Sequence, residues 1–283
     1  MYLRNPNKGL SRFFYRMEPV VAKKPRAVRV PLLPFKDVAN QFEIGIDEAG
    51  RGPLFGRVYV AAVVLPKAPT VPADKAPTVP ADAAPTEKEP FRYDWMRDSK
   101  QIKSRKKIGE LAAYIKSNAL AWHIHYVEAD EIDRSGILNC VIRAMHICID
   151  HIMESFVSKH GFALNNGLLL VDGNYFRPYT VFNQVTESLT AVNHETVEKG
   201  DGTYASIAAA SILAKNERDT YVEELCAKYP VLIDRYGLNT NMGYGTKAHL
   251  EGIRIHGITE WHRQTFRGAA DEPLNLVVED QPV

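Results

Sequence analysis

An α/β domain, built on a central sheet flanked by helices and ending in a helical C-terminal part, is predicted by three features of the sequence. Short runs of strand character at 42–48, 57–65 and 168–171 alternate with stretches of helical spacing. Residues 203–228 read as one long helix whose first half, Ser206 to Ala214, is dominated by small residues that permit close packing on a sheet. Further helical pattern, such as Thr246 to Ile255, gathers toward the C-terminus. A chain of 283 residues with 45% hydrophobic and 24% charged residues is large enough to bury a real core.

Each element has its own signal. Phe42 to Glu48 is an apolar strand that runs into the turn Gly50-Arg51-Gly52-Pro53, and Arg57 to Leu65 is a β-rich run with no helical spacing. Ser104 is placed to cap a helix whose buried stripe is Ile108, Leu111, Ala112 and Ile115. Leu120, Trp122, Ile124 and Tyr126 alternate, which predicts a strand with that face buried; His123 and His125 then share the other face as sheet-surface residues. The next helix carries Ile137, Val141, Met145, Ile149, Ile152 and Phe156 on its apolar side. Leu168 to Val171 is a short strand leading into Asp172 and Gly173, and Tyr229-Pro230 ends the long helix.

Outside this domain, residues 1–41 and the tail at 268–283 are read as separate segments. Nine basic residues stand against two acidic ones over residues 1–42, although the whole chain carries a net charge of only +1. The arm is read as mobile or loosely docked and is open to three roles: a solvated tail, an arm that gathers phosphate backbone, or an organelle-targeting leader, which Glu18 and the prolines fit poorly. Lys-Ala-Pro-Thr-Val-Pro-Ala-Asp occurs at 67–74 and again at 75–82, so residues 67–90 form a proline-rich insertion expected to be an exposed loop. Three widely spaced cysteines offer no zinc framework and fit a reducing compartment. No apolar run approaches the roughly 20 residues needed to span a bilayer. The expectation is a cytoplasmic protein with no membrane partner.

Carboxylates mark the candidate site. Asp47 and Glu48 end one apolar strand, Asp172 ends another, and Asp201 precedes the small-residue helix, so three segments deliver acids where rigid elements meet loops. Brought together, they would repel one another unless a divalent cation neutralised them, and oxygen ligands without His or Cys suit Mg²⁺ or Mn²⁺. Singly, Asp172 and Asp201 read more readily as turn or cap residues than as metal ligands.

These residues lie in blocks that together resemble ribonuclease HII. The blocks are Asp-Glu-Ala-Gly-Arg-Gly-Pro-Leu at 47–54, Asp98-Ser99-Lys100, Val171-Asp172-Gly173, Lys199-Gly200-Asp201, Ser206 to Lys215 with Arg218-Asp219, Gly243-Tyr244-Gly245-Thr246, and His262 to Phe266. They follow that family's order from about residue 42 to 267, leaving out the arm, the insertion and the tail. The resemblance implies a ribonuclease H-like fold with a central mixed sheet and a catalytic domain at 42–267. It also implies an endonuclease that cuts the RNA strand of RNA–DNA hybrids and cuts 5′ of a single ribonucleotide in duplex DNA, leaving 3′-hydroxyl and 5′-phosphate ends. Carried over by position, the four catalytic, metal-binding carboxylates are Asp47, Glu48, Asp172 and Asp201, holding two ions about 4 Å apart. Gly50, Arg51 and Gly52 would read the 2′ hydroxyl, Tyr244 would stack on the following deoxyribose, and Lys100 would contact phosphate. Met242 stands where the family often has lysine, and Asp219, beside Arg218 in a helix, is read as an ion-paired structural residue. The family's simple form implies a monomer. Two rivals remain at this level: another two-metal nuclease, such as an exonuclease or resolvase, and a hybrid-binding module without chemistry.

Overall fold

Residues 31–67, 90–183, 187–269 and 273–274 are described by the computed structural model. The predicted basic arm up to residue 30, nearly all of the proline-rich repeat, and the tail apart from 268, 269, 273 and 274 lie outside them. The chain divides into two units, Met1–Pro31 and Leu32–Val283, and the elements below all belong to the second.

Five strands form the main sheet: β1 (Phe42–Ala49), β2 (Val58–Val64), β3 (Ala121–Val127), β4 (Gly167–Asp172) and β7 (His194–Val197), in the order β3-β2-β1-β4-β7. β1–β2 and β2–β3 are antiparallel, whereas β1–β4 and β4–β7 are parallel, so the sheet is mixed as expected. β2 is buried along its whole length because both faces are covered. Tyr59, Ala61, Val63 and Leu65 meet the helices α1 (Arg105–Asn118) and α4 (Ala205–Lys228), while Val58, Val60, Ala62 and Val64 meet α3 (Ile137–Ile152), which α2 (Ala129–Ser135) precedes. The same alternation puts Ile44 and Ile46 of β1 and Leu169 and Val171 of β4 on the α3 side. It leaves Gly45, Asp47 and Asp172 on the α4 side.

Gly45 explains why α4 carries small residues. A Cβ at this position would lie 2.2 Å from the Ser206 carbonyl carbon, so strand and helix touch backbone to backbone. That contact seats the helix N-terminal half across the strand that carries Asp47. Residues 205–214 of α4 are buried on every side, which is why this stretch shows no amphipathic stripe.

Ser104 caps α1 by accepting from the Lys107 amide, and the predicted stripe Ile108, Leu111, Ala112 and Ile115 is the buried one. Val141, Met145, Ile149, Ile152 and Phe156 of the α3 region are likewise buried. Two helices, α5 (Val231–Tyr236) and α7 (Lys247–His256), with the short α6 (Leu238–Asn241) between them, make the predicted helical C-terminal part. Among the described residues no single helix is long and apolar enough to cross a membrane.

Three expectations need correction. β3 is an edge strand, and its predicted buried face is the more open one: Trp122 and Tyr126 stay 39% and 44% exposed. Lys116 and Arg57 cover those rings, while His123 and His125 are half buried on the α3 side, His123 stacked on His151. Residues 32–41, assigned to the arm from composition, are docked: Leu33 exchanges backbone hydrogen bonds with Thr203 and Ala205, and Lys36 pairs with Glu195. Finally, the hairpin β5 (Thr180–Asn183) with β6 (Ser188–Ala191), and β7, went unpredicted. Each has four residues and no buried apolar alternation, so neither period was visible.

Candidate active site

The sheet brings two of the carboxylates together by register. Ile46 pairs with Val171 across parallel β1 and β4, so the next residues, Asp47 and Asp172, leave neighbouring strand ends on the same face. Glu48 follows Asp47 at the rim. Asp201 arrives from elsewhere, in the tight turn Gly200–Gly202 just before α4, and that turn is tied to the strand end by the Gly200 amide donating to Asp172 Oδ1 at 2.7 Å. Asp47, Glu48 and Asp172 therefore share one end of the sheet, and the Gly200–Gly202 turn tethers Asp201 beside them.

Their environment concentrates negative charge. Burial, then Glu48 and Asp172, push the Asp47 carboxyl well above the usual range, against hydrogen bonds from the Ser211 hydroxyl and the Glu48 amide. Burial also raises Glu48, with Asp172 adding to the shift and Arg51, 3.4 Å away, opposing it. Asp201 is raised by burial despite its ion pair with Lys100 Nζ at 3.0 Å. For Lys100 the balance runs the other way: burial disfavours its charge, the Asp201 carboxylate outweighs that, and its pKa lies above the ordinary lysine value.

An oxygen-only donor set under mutual repulsion fits a hard divalent cation, which would relieve the charge that burial leaves uncompensated. Among the described residues no three such side chains converge as a ready cage. Asp201 is engaged by Lys100, and Asp172 by the Gly200 amide.

A cleft of about 220 Å³ opens in front of Asp47, Glu48 and Asp172, and Lys100, the 50–52 loop and Tyr244 complete its walls. Asp201, paired with Lys100, does not itself line the cleft. Gly50 has φ +93°, and a Cβ there would come within 2.8 Å of the Arg218 side chain, so only glycine fits this turn. Tyr244 is half exposed, with the Arg218 guanidinium 5.5 Å from its ring centroid. Met242 lies outside this cleft; its backbone is left-handed and its carbonyl accepts from Arg218. Asp219, which also lines the cleft, is paired with Lys215 at 2.8 Å and Arg218 at 3.3 Å, the ion pairing expected of it.

Sequence reasoning assigned no role to two features. Ser211 and Ser99 bond to each other at 2.9 Å, and Ser211 continues to Asp47. Arg263 is fully buried and donates to the carbonyls of Gly50, Arg51, Pro53 and Gly56, clamping the whole glycine loop. The block around Arg263 was visible, but a clamp between residues some 210 positions apart leaves no local periodicity.

Solved structures share this architecture. Ribonuclease H2 from Pyrococcus horikoshii OT3 aligns with a TM-score of 0.50 at 22% identity, covering 81% of this chain and 95% of that one. The structure of the PCNA:RNase HII complex from Archaeoglobus fulgidus gives 0.53 at 21% identity, covering 80% and 95%. Such identities speak for the fold alone: it is ribonuclease H-like.

Sequence likeness goes further. Residues 79–269 match the family model for Ribonuclease HII. Ribonuclease HII of Parabacteroides distasonis is 40% identical over 235 residues, 83% of this chain and 94% of the relative. That of Bacteroides thetaiotaomicron is 39% identical over 245 residues, 87% and 98%. The chain belongs to the ribonuclease HII family, whose members are metal-dependent ribonuclease H endonucleases acting on RNA–DNA substrates.

Proposed function

We propose that this protein cleaves the RNA strand of RNA–DNA hybrids and, in duplex DNA with one embedded ribonucleotide, cuts on its 5′ side to leave a 3′ hydroxyl and a 5′ phosphate. The observation that carries the reading is the meeting of Asp47, Glu48 and Asp172 with the Gly50–Gly52 backbone and the Tyr244 ring around one cleft. Acids for phosphodiester chemistry and groups suited to reading ribose face the same space.

Asp47, Glu48, Asp172 and Asp201 would hold two Mg²⁺ or Mn²⁺ ions. Such a pair, when bound, activates water and stabilises the leaving oxygen in phosphodiester hydrolysis. The chain's own residues supply the rest. Ser211 orients the Asp47 carboxylate. The glycine loop brings its backbone close enough to detect a 2′ hydroxyl, which both donates and accepts. Tyr244 offers a ring for the next sugar, where a further 2′ hydroxyl would crowd it. Lys100, with its side chain 74% exposed, can turn from Asp201 to a phosphate oxygen. A cytoplasmic monomer belongs to the same proposal; Cys140, Cys148 and Cys226 are buried free thiols, which fits a reducing compartment.

The test is cleavage of an end-labelled duplex with one internal ribonucleotide, in Mg²⁺, in Mn²⁺ and in chelator. One internal cut at the 5′ side of the ribonucleotide, lost in chelator, is the expected result. Stepwise shortening from an end, or no cut, would overturn the proposal.

A further inference from the structure

Behind Tyr244 lies a buried pair of histidines that the chemistry above does not use. His249 of α7 and His262 are 0% and 1% exposed, and their Nε2 atoms are 3.1 Å apart. His262 Nδ1 is 2.9 Å from the Thr259 amide nitrogen and 2.8 Å from the Thr259 hydroxyl. His249 Nδ1 is 3.0 Å from the Tyr244 carbonyl oxygen.

The ends of this chain fix the protons within it. A backbone N–H only donates, so His262 Nδ1 must accept and the neutral ring carries its proton on Nε2. That proton is given to His249 Nε2, which leaves the His249 proton on Nδ1. A carbonyl only accepts, so Nδ1–H donates to Tyr244. Both ends demand the same direction, and with two neutral rings each of the four ring nitrogens faces a partner of the right kind. Burial supports neutrality: it lowers His249, and with His249 beside it His262 stands at about 3.

The neighbour of His262 completes the geometry. Arg263 clamps the carbonyls of Gly50, Arg51 and Pro53, and its amide donates to Leu54, whose own amide donates to the Gly243 carbonyl. Two consecutive residues thus hold the two loops that border the cleft, one by a guanidinium and one through a second histidine.

We infer that His249 and His262 are positioning residues: a directional two-histidine relay from the Thr259 amide to the Tyr244 carbonyl that sets the tyrosine against the Gly50–Gly52 loop and so tunes selectivity for the ribonucleotide–DNA junction. This rests on the reading of Tyr244 given above.

Two measurements test it. In the ¹⁵N-histidine-labelled full chain at pH 7.5, two-bond ¹H–¹⁵N spectra should show His262 neutral with its proton on Nε2 and His249 neutral with its proton on Nδ1, assigned with His262→Gln and His249→Asn. The opposite tautomer at either ring, or a charged ring, overturns the relay and needs no variant to be active. The second readout is the ratio of kcat/KM for a one-ribonucleotide duplex to that for a continuous hybrid. His249→Leu removes the donor to Tyr244 and should lower the ratio by about 2- to 12-fold, the worth of one net hydrogen bond. His249→Asn keeps an N–H at the Nδ1 position and should restore most of it. Equal ratios for the two variants overturn the relay as a selectivity device if Tyr244→Ala still moves the ratio. If Tyr244→Ala leaves the ratio unmoved, the reading of Tyr244 itself falls.

Discussion

The sheet end that bears Asp47 and Asp172 and the loops that bear Gly50–Gly52 and Tyr244 border one cleft, yet they are held in opposite ways. The acids stand on paired strands, in fixed register, under a helix that touches the strand backbone at Gly45. The loops have no ladder of their own and depend on side chains from the C-terminal segment, Arg263 directly and His262 through His249. On the proposed reading, chemistry sits on the rigid scaffold and recognition hangs from a clamp, so the two should fail separately.

Breaking the scaffold should have the largest effect. Gly45→Ala forces a methyl into the Ser206 backbone, where neither strand nor helix can give way at small cost; overpacking typically costs about 1–3 kcal/mol and a backbone clash more. Thermal unfolding should show a severe loss of stability together with activity on every substrate. A Tm within a degree or two of wild type would mean that α4 is not seated as described.

Next comes chemistry lost without loss of fold. Asp47→Asn keeps the shape and the Ser211 contact but removes one of the mutually repelling charges. Activity should fall below about one-tenth of wild type, because the proposal makes Asp47 a metal ligand. In chelator the Tm should rise, since the buried charge opposes folding. Activity near wild type, or a lower Tm in chelator, would break the comparison on the side of the acids.

The clamp should give an intermediate effect. Arg263→Lys replaces a planar fork that reaches four carbonyls with a single ammonium, and each buried carbonyl left without a donor costs roughly 1–3 kcal/mol. The Tm should drop by roughly 2–4 °C per kcal/mol in a domain of this size. KM should rise more than kcat falls, because the recognition loop loosens while the acids stay in register. A selective loss of kcat would place Arg263 with the chemistry instead.

The smallest expected effect is a pH dependence. His262 stands at about 3 in the fold against 6.5 when exposed, so between those values the unfolded chain binds a proton that the folded one does not. The stability this contributes is complete above about pH 6.5 and is lost as pH falls toward 3, at up to about 1.4 kcal/mol per pH unit. Urea unfolding at pH 7.5 and 5.5 should therefore show wild type losing more stability on acidification than His262→Gln. Parallel losses would show that the ring is not held neutral.

How much of this was legible follows from the same contrast. Asp47 and Asp172 stood out because each follows the visible apolar run of a strand, but it took the family resemblance to set Asp172 and Asp201 apart from ordinary turn and cap residues; the small-residue half of α4 announced a close contact, although not that Gly45 receives it. The cap at Ser104 and the stripe of α1 were equally plain. The clamp was hidden because Arg263 and Gly50 are joined by hydrogen bonds across the fold rather than by spacing. His262 gave no sign that its partner lay at position 249. β3 misled for a related reason: its alternation is real, but the edge position opens the Trp122 and Tyr126 side and puts α3 behind His123 and His125.

The separation of recognition from chemistry is tested most directly at Tyr244, with kcat/KM measured on a one-ribonucleotide duplex and on a continuous RNA–DNA hybrid at fixed Mg²⁺ and salt, for wild type and Tyr244→Ala. Losing one stacking contact is worth roughly 1–3 kcal/mol, or about 5- to 150-fold, and that loss should fall on the junction substrate. The continuous hybrid, whose next sugar carries a 2′ hydroxyl, should fall by less. An equal fall on both substrates would contradict the account, because Tyr244 would then serve the acids and not the reading of the junction.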